Sequence, residues 1–303
     1  MIKAAVVGYG SIGVRHANCL KELGCHVAVI SRHHSDDDSL FTSLGECLKN
    51  FNPDYVVIAN DTRSHFDSFK TLADTSFRGK VLIEKPLFAN RVTIPKHSIT
   101  YIYTAYNLRF HPILQKLKMI LAASKNIIQV QAYVGKHIST WRPDGRLGYS
   151  ATRAGGGGVL RDLSHELDYL NWLLGGWQAL TAVGGRFSDN TLDSDDAYSL
   201  LLKTRRCPLV SLQMNYLDRK SRREIIIQTD NQTFKADLVQ NTLETDDQIE
   251  QYPMDKNHTY LRQHEAVLSG NTESLCSFEE GIDVVKMIEA AEEAAKDFKW
   301  IHR

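Results

Sequence analysis

The chain has 303 residues, enough for two domains, because a single hydrophobic core rarely grows that large. Hydrophobic residues at 43%, charged residues at 24% and only 7 prolines exclude a disordered or fibrous chain. The 36 basic and 36 acidic residues cancel, so no global field attracts a polyanion; the expected partner is a small molecule, with no nucleic acid and no membrane.

The N-terminus enters a β-type segment at once, without a basic leader or cleavage site, and no apolar run is long enough to span a bilayer. The expected location is the cytoplasm. Cys19, Cys25, Cys47, Cys207 and Cys276 are odd in number and never form a CxxC pair, so they read as reduced, mostly buried thiols.

In chain order, Ala4 to Val7 reads as a buried strand, Ile12 to Leu23 as a helix stopped by Gly24, and His26 to Ile30 as a second strand. A helix from Ser43 to Phe51, a strand from Tyr55 to Ala59, a helix from Ser64 to about Thr75 and strands Val81 to Glu84 and Ile102 to Tyr106 follow. This alternation predicts a doubly wound parallel sheet of Rossmann type over residues 1–106. Residues 107–303 change character. A helix near Ile113 to Leu121 is followed by alternating strands, among them Ile127 to Val134, Ala197 to Leu202 and Arg223 to Gln228, which predict an open, mainly antiparallel sheet in a second α/β domain. Helical patterns return at Leu160 to Leu174 and Phe278 to Lys296, the latter with a solvated glutamate face.

The first strand runs into Gly8-Tyr9-Gly10-Ser11-Ile12-Gly13, a GxGxxG turn that opens a helix within a β-α-β unit of about thirty residues. Gly8 permits the tight turn, Gly10 lets the backbone approach a pyrophosphate, and Gly13 allows close helix–strand packing, while the helix N-terminus offers free amides and a positive dipole end. In dinucleotide-binding turns an acidic residue about twenty positions onward binds the ribose 2′-hydroxyl. Here that place holds Ser31 and Arg32, which favour the 2′-phosphate of NADP over NAD; the alternative is a solvated Arg32 with Asp36, Asp37 or Asp38 folding back onto the ribose.

Glu84-Lys85-Pro86 follows a strand at the sheet edge where ligands bind, so Lys85 is either a surface lysine or a proton donor to a substrate oxygen. Gly155 to Gly158 precede a helical pattern in which Asp162, His165 and Asp168 are spaced to share one face. A neutral histidine oriented by a carboxylate can take a hydroxyl proton as hydride leaves the carbon; alternatively, Asp162 satisfies amides at the helix start. No HExxH or Cys/His set accompanies them, and no metal is expected.

The GxGxxG turn, Val56-Val57-Ile58-Ala59-Asn60 leading to His65, Glu84-Lys85-Pro86, Tyr106-Asn107-Leu108-Arg109-Phe110-His111-Pro112 and the glycine run before Asp162 and His165 together resemble the Gfo/Idh/MocA family of NAD(P)-dependent oxidoreductases over nearly the whole chain. The resemblance implies hydride transfer at a sugar, cyclitol or nucleotide-sugar carbon, and a homodimer or homotetramer built on the open sheet. It implies Lys85, Asp162 and His165 as catalytic residues. It implies that Asn60, His65, Glu84 and Lys85 join Gly8, Gly10, Ser11, Ile12, Gly13, Ser31 and Arg32 at the cofactor, and that Asn107 and Arg109 line the substrate cleft. Trp141 and Arg142 fall in a loop expected to overhang that cleft, where an aromatic ring can stack on a sugar and a guanidinium can bind a carboxylate or phosphate. The family's usual DxxxH spacing is shortened here by one residue, the stretch Leu87 to Thr100 is shorter than the usual helix and holds Pro95, and Asp61 replaces a common proline. Two other functions remain compatible with the sequence: a non-catalytic dinucleotide sensor, and redox-assisted elimination without net redox change.

Overall fold

Short aliphatic runs separated by helical repeats lay down the first sheet. A computed structural model describes residues 1–31, 40–140, 152, 155–189 and 193–303. In chain order the first elements are β1 (Lys3–Val7), α1 (Ser11–Glu22), β2 (His26–Ile30), β3 (Leu40–Phe41), α2 (Leu44–Asn50), β4 (Tyr55–Ile58), α3 (His65–Ala73), β5 (Lys80–Ile83) and β6 (Tyr101–Thr104). Gly24, at φ +76°, turns the chain out of α1, and Ser43 Oγ accepts the Glu46 amide at 3.2 Å to start α2. The strands pair in the order β6-β5-β4-β1-β2-β3, every pair parallel. All four residues of β4 are buried, as a sheet covered on both faces requires.

The next elements are α4 (Pro112–Ala123), β7 (Ile127–Gly135), α5 (Val159–Asp162), α6 (His165–Leu173), β8 (Trp177–Gly185), β9 (Ala197–Thr204), β10 (Leu209–Asn215), β11 (Arg222–Thr229), β12 (Thr233–Asp237), β13 (Thr242–Glu244) and β14 (Ile249–Gln251). The chain finishes with α7 (His258–Ser269), β15 (Cys276–Ser277), α8 (Phe278–Asp297) and β16 (Ile301–His302). A second sheet runs β14-β13-β12-β11-β7-β10-β9-β8-β16, antiparallel throughout except for the parallel pair β7–β10. The α/β class, with a parallel first sheet and a mainly antiparallel second one, is the one the sequence predicts.

The division of the chain differs from the boundary expected at residue 106. One compact unit comprises Met1–Phe110 with Lys256–Val285, the other His111–Asp255 with Lys286–Arg303. The returning segment belongs to the first unit because β15 pairs antiparallel with β6 and α7 lies beside α1. Two residues of strand pairing leave no periodicity to read in the sequence.

The same segment solves a packing problem. Parallel strands normally need a helical crossover, yet the connection from β5 to β6 contains no helix. Leu87, Phe88, Val92, Ile94 and Ile99 of that connection join the core directly, and Phe278, Ile282 and Val285 of α8 pack on the same cluster. Phe278 stacks on Phe69 with ring centroids 5.5 Å apart, and Phe88 meets both rings. The N-terminal part of α8 thus covers sheet surface that a crossover helix would otherwise cover.

All five cysteines are free and buried; burial pushes the Cys19 thiol up to about 11 and the Cys47 thiol up to about 12. No described helix is long and apolar enough to cross a membrane. Phe69 has no exposed surface and anchors this aromatic cluster, so Phe69→Ala should lower the unfolding free energy by about 3–5 kcal/mol in a urea titration. A loss below about 1 kcal/mol would show that the cluster is not where the first unit's stability resides.

Candidate functional site

Parallel pairing brings residues far apart in sequence to one edge. Gly8 follows β1, Ser31 follows β2, Asn60 lies just beyond β4, and Glu84 with Lys85 follows β5, so all lie at the carboxyl edge of adjacent strands. The order reverses between β1 and β4, the switch point at which open α/β sheets bind ligands.

The glycine turn has the space a dinucleotide needs. Gly8 sits at φ +93°, and an added Cβ would lie 2.7 Å from the Asn60 Cα, so the turn and β4 can approach only without a side chain. At Gly13 a Cβ would come within 2.0 Å of the Gly8 carbonyl oxygen. Among the described residues, a Cβ at Gly10 would meet nothing within 4 Å and no side chain caps the N-terminus of α1. The amides of Ser11, Ile12 and Gly13 therefore open a helix whose positive end meets no capping side chain among the described residues, which fits a pyrophosphate. Ser31 is half-buried and its amide donates to the Phe41 carbonyl at 3.1 Å. Arg32 and the alternative residues Asp36, Asp37 and Asp38 lie outside the described residues.

Three residues expected at the cofactor, His65, Asn60 and Glu84, make hydrogen bonds at the strand ends. His65 is buried, with Nδ1 3.1 Å from the Pro86 carbonyl and 3.2 Å from that of Leu87, and Nε2 3.1 Å from the Asn60 carbonyl. It thereby ties the end of β4 to the turn at Lys85–Pro86, whose peptide bond is cis. Burial holds the His65 imidazole below its ordinary pKa, against the Glu84 charge and these carbonyls. Asn60 Nδ2 donates to Ser68 Oγ at 2.9 Å. The Glu84 carboxylate is also committed: Oε1 lies 2.9 Å from His16 Nε2 and Oε2 accepts the Lys85 amide at 2.9 Å. Burial pushes this carboxyl up, but the His16 hydrogen bond, with the Lys85 charge and amide, outweighs it and holds the group below its usual range. Lys85 itself is half-buried at the edge.

Asn107 and Arg109, expected on the substrate cleft, are occupied within the first unit. Asn107 Nδ2 donates to Thr259 Oγ1 at 2.7 Å, and the Arg109 guanidinium, 1% exposed, pairs with Glu280 at 3.0 Å and donates to the Leu275 carbonyl at 3.3 Å. Burial gives Arg109 a packing role in place of the expected substrate contact: it fastens the returning segment. Trp141 and Arg142 lie outside the described residues.

In the second unit the single helix expected over residues 160–174 is two. α5 ends at Asp162, Leu163 leaves helical geometry at φ −99°, ψ 23°, and α6 starts at His165. α5 is anchored at its start. Gly158 adopts φ +115°, where a Cβ would lie 2.3 Å from Asp195 Oδ1; the Asp195 carboxylate accepts the Leu160 amide, and Arg161 pairs with Glu292 at 2.6 Å. Asp195 thus serves the helix start. Asp162 and His165 consequently do not share one continuous helical face, and Asp162 Oδ2 accepts the Tyr216 hydroxyl at 2.6 Å. Tyr216 carries no motif that marks it in the sequence. Nor is α6 amphipathic: Glu166 to Leu173 are all buried, with Glu166 2.8 Å from Arg223 Nε. Among the described residues, no group of three or more His, Cys, Asp or Glu is placed to hold a metal ion.

Comparison with known proteins covers both units. A model of the oxidoreductase family with an NAD-binding Rossmann fold matches residues 2–95, and one of the GFO/IDH/MocA C-terminal domain matches residues 115–235. No curated protein matches the chain by sequence. Among solved structures, GenD2 from gentamicin A biosynthesis in complex with NAD superposes with a TM-score of 0.80 at 20% identity, covering 100% of this chain and 96% of that one. Levoglucosan dehydrogenase in complex with NADH gives 0.84 at 15% identity, covering 99% and 98%. The WlbA dehydrogenase from Bordetella pertussis, in complex with NADH and UDP-GlcNAcA, gives 0.81 at 17% identity, covering 100% and 97%. These likenesses establish the fold.

His65 and His264 of the first unit make stability pH-dependent. Burial, with His16 beside it, holds His264 well below its ordinary value of 6.5. A base whose folded pKa is lowered contributes stability that is present above the unfolded value and lost as pH falls below it, because the unfolded chain then binds a proton the folded one refuses. Urea midpoints should therefore fall as pH drops below about 6.5. His264→Gln should make that slope shallower by up to about one proton. An unchanged slope in the folded variant would show that His264 charges freely in the native state.

Proposed function

The chain belongs to the Gfo/Idh/MocA family and is an oxidoreductase that uses a nicotinamide dinucleotide, and on that premise we propose that it transfers hydride at a hydroxyl or carbonyl carbon of a sugar, cyclitol or nucleotide-sugar. The observation that carries the reading is the shared strand edge, where the Gly8–Gly13 turn with its open Gly10 and Lys85 follow strands separated only by β4. Names of fold neighbours, a levoglucosan dehydrogenase and a dehydrogenase complexed with UDP-GlcNAcA, support the sugar class.

The amides of Ser11, Ile12 and Gly13 bind the pyrophosphate, and the bound nicotinamide supplies the hydride acceptor or donor. Lys85 hydrogen-bonds the reacting oxygen and polarises it. His165 takes the hydroxyl proton in oxidation and returns it in reduction, while Asp162, held by Tyr216, supports the charge His165 acquires. Trp141 and Arg142 contact the sugar. The enzyme works in the cytoplasm as a homodimer or homotetramer; the exposed Val183, Leu201 and Leu209 on the second sheet support an assembly interface.

Lys85→Met and His165→Ala should each keep dinucleotide affinity, measured by nicotinamide fluorescence, while turnover of a sugar and nucleotide-sugar panel, followed at the nicotinamide absorbance, drops at least about 100-fold. Undiminished turnover in both variants would remove these assignments. Product formation without net absorbance change would instead identify redox-assisted elimination, and binding without turnover of any panel member a sensor.

We further infer a preference for NADP, carried by Ser31 and Arg32 where NAD-specific turns place an acid. NADPH should bind more tightly than NADH, and Arg32→Ala should weaken NADPH selectively by about tenfold or more. Tighter binding of NADH by the parent protein would overturn the preference.

A further inference from the structure

Four polar side chains of the first unit meet end to end. Tyr55 Oη, from β4, lies 3.0 Å from His264 Nδ1 on α7; His264 Nε2 lies 2.8 Å from His16 Nδ1 on α1; and His16 Nε2 lies 2.9 Å from Glu84 Oε1 after β5. Tyr55, His264 and His16 have no exposed surface. Tyr260 closes one side, edge-on to His16 at 5.3 Å, with the Arg15 guanidinium over its ring.

With His16 neutral, proton bookkeeping allows these contacts one direction. An ionised carboxylate only accepts, so His16 Nε2 must carry the proton. A neutral His16 then accepts at Nδ1, which requires His264 to donate from Nε2; His264 in turn accepts at Nδ1, and the Tyr55 hydroxyl donates. The Lys85 amide fills the other oxygen of Glu84. Burial agrees with this pattern, holding the Tyr55 hydroxyl well above 10 and His264 well below 6.5, so that both stay neutral. The groups that face Glu84 are His16 from α1, Lys85 beside it, His65 from α3 and Tyr260 from α7.

We propose that Tyr55, His264 and His16 form a directed hydrogen-bond relay that fixes the Glu84 carboxylate as the acceptor of the Lys85 amide and so positions Lys85 at the strand edge. The inference rests on the reading of Lys85 as the group that polarises the substrate oxygen. None of the three relay residues is assigned contact with substrate or cofactor; they are positioning residues. Their arrangement gives the returning segment a functional purpose, since His264 lies about 180 residues beyond the lysine it helps to place.

The test uses the full chain with nitrogen-labelled histidine and carbon-labelled glutamate, read by NMR, with the Glu84 signal assigned by its loss in Glu84→Gln. At neutral pH the parent should show His16 and His264 as Nε2–H tautomers. His264→Leu removes the donor to His16 and should move the Glu84 titration up by about one unit, whereas His264→Gln keeps an amide donor and should restore most of the shift. Tyr55→Phe, which deletes only a hydroxyl, should move Glu84 in the same direction by less, and serves if the leucine variant does not fold. Turnover of a panel sugar that the parent accepts should fall in His264→Leu, with KM little changed, and recover in His264→Gln. A proton on His16 Nδ1 in the parent would overturn the relay, as would an unmoved Glu84 titration in the folded variants. Full turnover alongside a moved titration would overturn the positioning role. Full turnover in Lys85→Met would sink the lysine assignment, while the Glu84 titration would still decide the relay.

Discussion

Parallel pairing obliges each strand of the first sheet to end at the same edge as its neighbours, and the arrangement of the candidate site rests on that constraint. Gly8, Ser31, Asn60 and Lys85 have no sequence proximity; they are gathered because β1, β2, β4 and β5 run in register and in one direction. A strand reversed at any of these positions would send its functional residue to the opposite edge. The close approach of Gly8 to Asn60 and of Gly13 to Gly8 sets the spacing of the turn against its neighbour, leaving Gly10 as the open position over which an anion can lie.

Burial of polar groups is the second organising cost. A hydrogen-bonding side chain removed from water must find a partner, and the first unit meets this demand with connections that reach across the sequence. His65 links the ends of β4 and β5, Arg109 reaches Glu280, Asn107 reaches Thr259, and Lys80 Nζ donates to the Val267 carbonyl at 2.6 Å. Three of these partners lie in Lys256–Val285, so the polar network and the aromatic cluster around Phe278 bind that segment to a sheet formed some 150 residues earlier. The glycine run of the second unit follows the same rule. Gly158 leaves room for the Asp195 carboxylate, which serves the start of α5, and Asp162 becomes the acceptor for Tyr216.

Apart from the two-residue β3, the strands and helices of the first hundred residues were legible because each carries its own local signal: aliphatic runs of four or five residues, helical spacing, Gly24 as a stop and Ser43 as a start. The GxGxxG turn was legible for a similar reason, since its three glycines answer steric demands made within six residues of chain. The alternation in β7, β9 and β11 was enough to predict an antiparallel second sheet, although the parallel β7–β10 pair was not, because pairing partners are chosen by packing and leave no mark on the individual strand.

By itself, then, the sequence determined the two kinds of sheet, the dinucleotide turn and the placing of Lys85 just after a strand, all consequences of short-range geometry. Only the tertiary structure decided that residues 256–285 complete the first unit, that α5 and α6 are separate, that Arg109 and Glu84 spend their charges on protein partners, and that His16, His264 and Tyr55 form one buried line. Those outcomes depend on which polar groups find each other once water is excluded. That choice is made by the packed chain as a whole, because the partners are brought within hydrogen-bonding distance only by the fold.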